Sequence, residues 1–451
     1  MTIQVSHTET SATASRREQR EAYLQSLVDT VKAHVPDTLT LPELRSQAEA
    51  IVKEHIFPSN KQEDWRFTDL SPMLSLPFKA STAPSRVAVE TLSTLQMPEA
   101  AARLVMVNGQ FSATLSEVDH LPAGVIVGNL AALLAGNLQD PLKARLAKST
   151  GSHEVFTALN TVGFQDAAVV WVPRDQVVEA PIQVIHLSIP DKAAPQITCS
   201  RCLVIGEPGS AFTLVEDFWG TGTQDYFNNS VTEVWADANA QVTHVRLQRE
   251  GTGTFHIGKT AITQGQDSRY INMAVSLGAR LARHNLEVYQ TGAQTDTKLY
   301  GLAAIANTQL TDTHSLIALN HPHGTAEQLH KCIVDGHAHA VFNGKVWVPQ
   351  NAQLTNASQL NRNLLLSDKA RVDTKPELDI VADNVKCAHG ATVSQLDANE
   401  VFYLQSRGID AEAAQRLLIY GFAMDIIDRI PIPSLQETLM QTVTQWTPLS
   451  E

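Results

Sequence analysis

Apolar residues recur with a helical period in the first part of the chain. Between about Ser15 and Phe57, leucine, valine and isoleucine return every three or four positions, which predicts amphipathic helices. Pro42 opens the second of these helices, because proline is tolerated in the first turn. A mixed stretch follows to about Pro195, and its Ala/Leu-rich segment from about Leu130 to Leu146 is also expected to be helical.

From about Gln196 to Leu396 the period shortens to that of β-strands. The run Thr243–Gln248 alternates strictly between polar and apolar residues, and similar runs are separated by turn-forming residues. These other runs are Ala211–Val215, Tyr270–Val275, Leu286–Tyr289, Ser315–Leu319, Lys345–Val348 and Leu364–Leu366. Many short strands in series indicate a sandwich, a barrel or a β-solenoid. The solenoid is favoured, because Asn, Ser, Thr and Gln recur inside the runs as they do in stacked coils.

The pattern becomes helical again from Asp397 to Glu451. Gly408 is a good residue to follow one helix, Asp410 can cap the next, and prolines at 431 and 433 end that one. These helices are either a docking surface or a cap on the β region. The predicted organisation is a disordered tail at 1–15, a helical and mixed domain at 16–195, a β core at 196–396 and a helical domain at 397–451.

Composition and charge narrow the classes of function. The 451 residues carry a formal net charge of −13, which disfavours nucleic acid and anionic membranes as partners. No apolar run approaches the ~20 residues that span a bilayer, and the Ser/Thr-rich start lacks the apolar stretch of a secretory signal. We therefore expect a cytoplasmic protein, with the plastid stroma as the alternative because Arg16 and Arg17 lie near the N-terminus. The four dispersed cysteines matter as thiols and do not form a disulfide framework.

Two short motifs match known binding patterns but lack the required context. Gly253–Thr260 fits the phosphate-loop pattern, yet residues 261–267 look like strand and turn where that loop needs a helix. Nucleotide binding is therefore not predicted. Cys199 and Cys202 are three residues apart, which on a strand places the thiols on opposite faces and prevents a shared metal ion.

Histidines crowd the late β region. His321 and His323, and likewise His337 and His339, have a spacing of two, which on a strand places both rings on one face. Such pairs can bind a metal ion, and exposed polar positions of a solenoid are the alternative.

A cysteine and a histidine share the same spacing further on. On a strand, Cys387 and His389 would project from one face, and thiolate with neutral imidazole suits iron or zinc. Asp383 lies four residues before the cysteine. From the chemistry alone, a metal site and a buried thiol beside a surface histidine are both open.

An ordered series of motifs runs from about Gly344 to Phe422. Its segments are Leu364–Ser367, Pro376–Ile380, Asp383–Ala391, Leu396–Asp397, Phe402–Ile409 and Leu417–Phe422. Earlier segments extend the series at Lys61–Thr68, Asn108–Phe111 and Phe156–Asn160. Together they resemble the SufB/SufD family of iron–sulfur cluster scaffolds over most of the chain. The N-terminal segments and the scarcity of core cysteines resemble the D-type members, since B-type chains carry additional cysteines.

This resemblance implies a fold and a set of partners. Family members have a right-handed parallel β-helix core, mainly β, flanked by N-terminal and C-terminal helical domains. A D-type chain pairs through its β-helix with the B-type paralogue SufB, and each binds one SufC, an ABC-type ATPase. The resemblance therefore implies a non-catalytic scaffold subunit, because ATP hydrolysis belongs to SufC. A homodimer of the isolated chain is a further possibility.

The resemblance also assigns residues. His389, with Cys387 beside it, falls on the segment that contributes to a nascent cluster or iron at the SufB interface. The isolated chain is expected to hold no stably bound cofactor, and flavin binding stays open. The expected ATPase docking residues are Tyr403, Ser406, Arg407, Gly408, Gly421 and Phe422.

Two hypotheses from other classes of function stay open beside the scaffold subunit. A β-solenoid enzyme acting on polysaccharide would need paired carboxylates along a groove, and no acidic cluster is evident on the β region. A structural zinc protein would use the histidine pairs, and metal analysis of fresh material would distinguish it.

Overall fold

The N-terminal part of the chain is helical. A computed structural model describes residues 7–39, 41–81, 87, 94–118, 121–190, 193–220 and 222–444, with side chains from residue 17 onward. Its first helices are α1 (His7–Lys32), α2 (Pro42–Glu54), a 3₁₀ turn (Glu63–Trp65), α3 (Ser71–Leu74), α4 (Leu130–Leu134), α5 (Gln139–Lys143) and α6 (Val155–Gly163). Residues 1–6 of the predicted tail lie outside the described part, and the backbone of residues 7–15 is helical.

The segment expected to be helical from about Leu130 to Leu146 contains two short helices, α4 and α5. Gly136 and Asn137 lie between them, and both residue types have low helix propensity. Elsewhere the pattern was confirmed, since Pro42 is the first residue of α2.

Twenty strands follow or interleave with these helices among the described residues. The early strands are β1 (Lys79–Ala80), β2 (Ala102–Val107), β3 (Gln110–Phe111), β4 (Ile126–Asn129), β5 (Ala168–Val172) and β6 (Ile182–Ser188). The central strands are β7 (Gln196–Gly206), β8 (Ala211–Gly220), β9 (Tyr226–Ala236), β10 (Gln241–Arg249), β11 (Thr254–Gln264), β12 (Arg269–Ser276) and β13 (Leu281–Gln290). The late strands are β14 (Asp296–Ile305), β15 (Leu310–Ala318), β16 (Thr325–Val334), β17 (His339–Val348), β18 (Asn356–Leu365), β19 (Arg371–Ile380) and β20 (Lys386–Gln395).

From β5 onward, successive strands alternate between two sheets. Sheet A has the order β19-β17-β15-β13-β11-β9-β7-β5-β4, with β1 beside β7, and sheet B has the order β20-β18-β16-β14-β12-β10-β8-β6-β2-β3. From β5 to β20 every neighbouring pair is parallel. Each coil therefore contributes one strand to each sheet, which confirms the β-solenoid. Its right hand stays a prediction.

Equivalent residues of consecutive coils stack in register. Gln241 pairs with Arg269, Arg269 with Asp296, and Asp296 with Thr325, so one coil takes roughly 30 residues. β2, β5 and β6 already pair into the two sheets before residue 196. The predicted boundary at residue 196 stays a prediction.

The two ends of the solenoid differ. At the first end, β3 and β4 pair antiparallel with β2 and β5, and helices α1, α2 and α6 cover one side of sheet A through an apolar cluster that includes Phe57, Phe156 and Phe227. Arg45 of α2 reinforces this cover, because its guanidinium donates to the carbonyls of Val162 (2.6 Å) and Phe164 (2.9 Å) at the end of α6. At the second end, the described residues place no strand beyond β19 and β20.

The last region forms three helices, of which the second and third pack on sheet B. The three helices are α7 (Ala398–Ser406), α8 (Ala411–Ile427) and α9 (Pro433–Thr444). Gly408 has a positive φ of 89° after α7, and the Asp410 side chain caps α8 by accepting from the amide of Ala413. Both helix boundaries predicted from the sequence were therefore confirmed. None of the described helices is long and apolar enough to cross a membrane.

Candidate functional site

The second end of the solenoid is an uncovered coil. In the described structure β19 pairs with β17 alone and β20 with β18 alone, so each terminal strand has a free edge. Strand β18, one coil earlier, buries its alternate residues Ala357, Gln359, Asn361 and Asn363 in the lumen between the sheets. No residue of β20 is buried. Unpaired N–H and C=O groups along such an edge are a template for another strand.

Cys387 and His389 lie on this terminal strand. They pair in register with Ala357 and Gln359, whose side chains face the lumen, so both project from the lumen side of β20. The Cys387 side chain is half-buried against the apolar lumen cluster, and His389 is exposed at the open end. Burial raises the pKa of the Cys387 thiol, so it is protonated near neutral pH.

These two residues provide at most part of a metal site. Iron and zinc commonly take four ligands, and within the described part of the chain no three His, Cys, Asp or Glu side chains converge in a way that could hold a metal ion. Asp383 does not join the pair, because it lies in the preceding turn and accepts from Gln350 Nε2 at 3.0 Å. Within the described part of the chain, a metal ion at this pair would therefore lack further side-chain ligands.

The C-terminal helices form a second candidate surface. None of the side chains of α7 is buried, and Phe402 and Tyr403 are 70% and 57% exposed. Leu417 of α8 is 47% exposed. Arg407 stacks over the Tyr403 ring with its guanidinium carbon 5.3 Å from the ring centre. Adjacent exposed aromatic side chains beside an arginine are typical of a protein–protein contact.

The residues expected to dock an ATPase do not all share this surface. Tyr403, Ser406 and Arg407 are exposed on or just after α7, and Gly408 follows them. Gly421 of α8 is also exposed, with no other atom near the position of a Cβ. Phe422 differs, because its side chain is half-buried against sheet B.

The helical region is tied firmly to the solenoid. Apolar residues of α8 and α9 pack on the outer side of sheet B, where Tyr300 and Leu302 lie. Lys331 of β16 is buried, and its Nζ lies 2.7 Å from Asp425 Oδ2 and 2.9 Å from the carbonyl oxygen of Phe422. A force applied to α7 and α8 would therefore reach the late coils of the solenoid directly.

The remaining sequence motifs have structural positions. The phosphate-loop match lies in β11, where Lys259 is buried and donates to Glu287 Oε1 at 2.7 Å, so the required loop and helix are absent from this described segment. Cys199 packs in the apolar cluster under the N-terminal helices and Cys202 in the lumen cluster, which confirms that the thiols lie on opposite faces.

The histidine pairs do not form strand faces. His321 and His323 lie in the turn before β16. His337 is exposed in a turn, whereas His339 on β17 contacts Asp373 Oδ2 at 2.7 Å. These positions correct the expectation of paired rings on one strand, because at least one histidine of each pair lies in a turn.

One buried polar cluster was not anticipated. Glu216 on the lumen side of β8 lies 3.0 Å from His186 Nε2 and 3.3 Å from His244 Nε2. These neighbours hold the pKa of Glu216 well below its usual range despite its burial. The signal in the sequence was the set of polar residues that alternate with apolar ones along the strands. Such polar residues are usually interpreted as facing solvent.

Comparisons with known proteins agree with this architecture. Residues 189–422 match the SufBD core domain of the SUF system of iron–sulfur cluster assembly, and residues 16–184 match the N-terminal region of SufBD proteins. An iron–sulfur cluster assembly SufBD family protein of Synechocystis sp. is 45% identical over 93% of this chain and 94% of its own length. The chloroplastic protein ABCI7 of Arabidopsis thaliana is 36% identical over 90% of this chain and 86% of its own. The iron–sulfur cluster assembly protein SufD of Escherichia coli is 28% identical over 87% of this chain and 89% of its own.

Proposed function

The chain belongs to the SufBD family of iron–sulfur cluster assembly proteins, and on that premise we propose that it is the D-type scaffold subunit, pairing with a SufB-type paralogue and docking a SufC-type ATPase. It is a non-catalytic subunit that lends ligands and shape. The nascent cluster, or its iron, is the cargo of the assembly. The relatives named for a chloroplast and for bacteria support a cytoplasmic or stromal setting.

The open coil is the observation that carries this proposal. β19 and β20 present free edges, and the lumen side of β20 exposes Cys387, His389 and Val393 to whatever covers the coil. A second β-solenoid of similar cross-section would satisfy the backbone groups of the edge and cover these side chains together. It would also bring the further ligands that a two-residue site lacks.

The exposed aromatic surface supports the ATPase contact. Phe402 and Tyr403 on α7 are exposed, while the neighbouring α8 is fixed to sheet B through Lys331. In the proposed cycle, ATP-driven closure of two ATPase subunits strains the helical regions of both scaffold chains. The Lys331–Asp425 contact passes that strain to the late coils and opens the cluster interface.

Co-expression of this chain with a B-type paralogue and the ATPase tests the assembly. We expect one complex by native mass spectrometry with one copy of each scaffold chain and two of the ATPase. A chain that dimerises with itself when expressed alone, and exchanges into this complex when the paralogue is added, fits the same interface. A chain that stays monomeric in the presence of both partners contradicts the proposal.

A further inference from the structure

A buried amide oxygen lies beneath His389 without a hydrogen-bond partner in the described structure. Gln359 on the lumen side of β18 is 3% exposed, and its Oε1 accepts no hydrogen bond there. The register of the two terminal strands of sheet B pairs Gln359 with His389. Neighbouring strands are ~4.8 Å apart, so side chains on the same face of paired residues stack.

A chain of hydrogen bonds fixes which end of the amide faces His389. Gln359 Nε2 donates to Gln328 Oε1 at 2.8 Å, and Gln328 Nε2 donates to Ser315 Oγ at 2.7 Å. The NH₂ group of Gln359 thus bonds back to the preceding coil, and that of Gln328 bonds across the lumen to sheet A. The Gln359 oxygen is left as the acceptor nearest the open end.

The glycine opposite this amide makes its position possible. A Cβ added to Gly344 of β17 would collide with Gln359 Nε2 and lie 3.0 Å from its Cδ. The absence of a side chain at this position therefore leaves room for the amide across the lumen. The Gln359 amide is therefore accommodated by the packing of the coil that precedes the terminal one.

Other nearby hydroxyl and amide donors are already used. The Thr374 hydroxyl donates to Asn361 Oδ1 at 2.7 Å. Asn361 Nδ2 donates to the carbonyl of His330 at 3.0 Å, and Asn363 Nδ2 donates to Asn361 Oδ1 and to the carbonyl of Thr392. Two imidazoles near this oxygen have a ring N–H that is not used in the described structure. His330 Nε2 is buried without a partner, but it lies one coil earlier and pairs with Asn361. His389 lies on the open side and pairs with Gln359 itself.

We propose that Gln359 is a positioning residue. When the exposed imidazole of His389 turns toward the lumen, the Gln359 oxygen accepts a hydrogen bond from one ring nitrogen and so fixes the orientation and tautomer of the ring. The second ring nitrogen then keeps its lone pair directed at the open coil, where iron would bind. This inference rests on the proposed role of His389 in holding the cargo. It adds the reason why the ring is ready to bind before the partner arrives.

The tautomer of His389 in the isolated full-length chain tests the contact directly. Long-range ¹H–¹⁵N spectra of ¹⁵N-histidine-labelled protein distinguish the two neutral tautomers, and the His389→Ala variant identifies the signal. We expect one dominant tautomer in the unaltered chain. A ring with the tautomer mixture of free histidine overturns the proposal without any further variant.

Two substitutions of similar size separate positioning from packing. Gln359→Met removes the acceptor and should release the ring to a tautomer mixture, whereas Gln359→Glu keeps an acceptor and should retain one tautomer. If Gln359 only filled space, the apolar methionine would be tolerated and the buried carboxylate would be the disruptive change. That opposite ranking contradicts the proposal.

Iron binding gives the second measurement and separates this inference from the function beneath it. In the complex with the B-type partner, Gln359→Met should weaken the affinity for added Fe²⁺ about 10- to 100-fold, the usual cost of losing a residue that orients a metal ligand. Unchanged affinity in Gln359→Met together with a loss in His389→Ala overturns only the positioning role. Unchanged affinity in His389→Ala overturns the proposed cluster site itself.

Discussion

Asn363 and Val393 are register partners on adjacent strands, yet Asn363 is fully buried and Val393 is 49% exposed. Both project from the lumen side of sheet B, one coil apart. The difference between them is the presence of a following coil over Asn363 and its absence over Val393 in the described chain. An apolar side chain left open in this way, beside a free strand edge, is the expected state of a surface that another solenoid covers.

A charge at Val393 should block the partner without unfolding the chain. In Val393→Asp, pairing with the B-type paralogue would bury an unpaired carboxylate, which costs at least about 2 kcal/mol and weakens binding about 30-fold or more. Analytical ultracentrifugation of the mixed chains measures this loss. Val177→Asp is the matched control, because Val177 is 55% exposed beside an early coil. Equal binding by both variants would place the interface elsewhere.

Cys387 should be the one cysteine that a thiol reagent reaches in the native chain. Cys199, Cys202 and Cys332 are buried, whereas Cys387 is half-buried at the open coil. Iodoacetamide labelling followed by mass spectrometry should modify Cys387 alone in the isolated chain, and the B-type partner should protect it. Labelling that is as fast in the complex as in the free chain contradicts the proposed interface.

The pH dependence of that labelling has a definite direction. Burial raises the pKa of the Cys387 thiol above the value of 9.0 for a free cysteine. Because the thiolate is the reactive form, the alkylation rate should still be rising above pH 9. An alkylation rate that levels off by pH 8 would show that the Cys387 thiol is not buried enough to have a raised pKa.

The exposed aromatic pair on α7 should carry much of the ATPase contact. Phe402→Ser removes a side chain that is 70% exposed, so folding stability should change by no more than about 0.5 kcal/mol. Binding of the ATPase should weaken by about 2 kcal/mol or more, as expected for a central aromatic contact. Isothermal titration measures it, with Val177→Ser as the control for loss of an exposed apolar side chain. Wild-type affinity in Phe402→Ser would remove α7 from the docking surface.

His330 should make the stability of the chain depend on pH. Burial lowers its pKa from 6.5 to about 4, so the unfolded chain binds a proton between these values while the folded chain does not. Stability is therefore fully present above pH 6.5 and falls as the pH drops toward 4. The shift corresponds to about 3 kcal/mol across this window.

Removing that imidazole should flatten the dependence. Urea unfolding of His330→Gln between pH 7 and pH 4.5 should show a smaller loss of stability than the unaltered chain, even if the variant is less stable at every pH. His337→Gln, at an exposed turn position, is the control and should leave the slope unchanged. An identical slope in His330→Gln would mean that this ring is accessible to protons in the folded state.

The sequence predicts the ends of helices well, but it predicts poorly which face of each strand is turned toward the lumen. Gly408 and Asp410 mark helix boundaries because a left-handed residue and a side-chain cap are local requirements. The run Thr243–Gln248 alternates as a strand should, but its polar residues His244 and Arg246 face the lumen and are buried. Its apolar residues lie on the other side, under the C-terminal helices. Nothing in a single strand indicates which face a distant helix will cover.

The sequence predicts that Cys387 and His389 lie together on one strand face, but it does not predict where in the solenoid that strand lies. The spacing of Cys387 and His389 indicates one strand face, and the resemblance to the family assigns them an interface role. That the strand is the last one, with its lumen side open, depends on the number of coils that pair before it. Gln359 lies 30 residues from its register partner His389, so no local pattern connects them.

The most direct test of the account is cluster assembly by a reconstituted complex that carries His389→Ala. The complex should form with unchanged subunit composition, because His389 is exposed in the isolated chain and its loss leaves no buried cavity. Iron and acid-labile sulfide bound per complex should fall at least tenfold, with His337→Ala retaining the full yield. A wild-type cluster yield from the His389→Ala complex would contradict the assignment of the open coil as the assembly site.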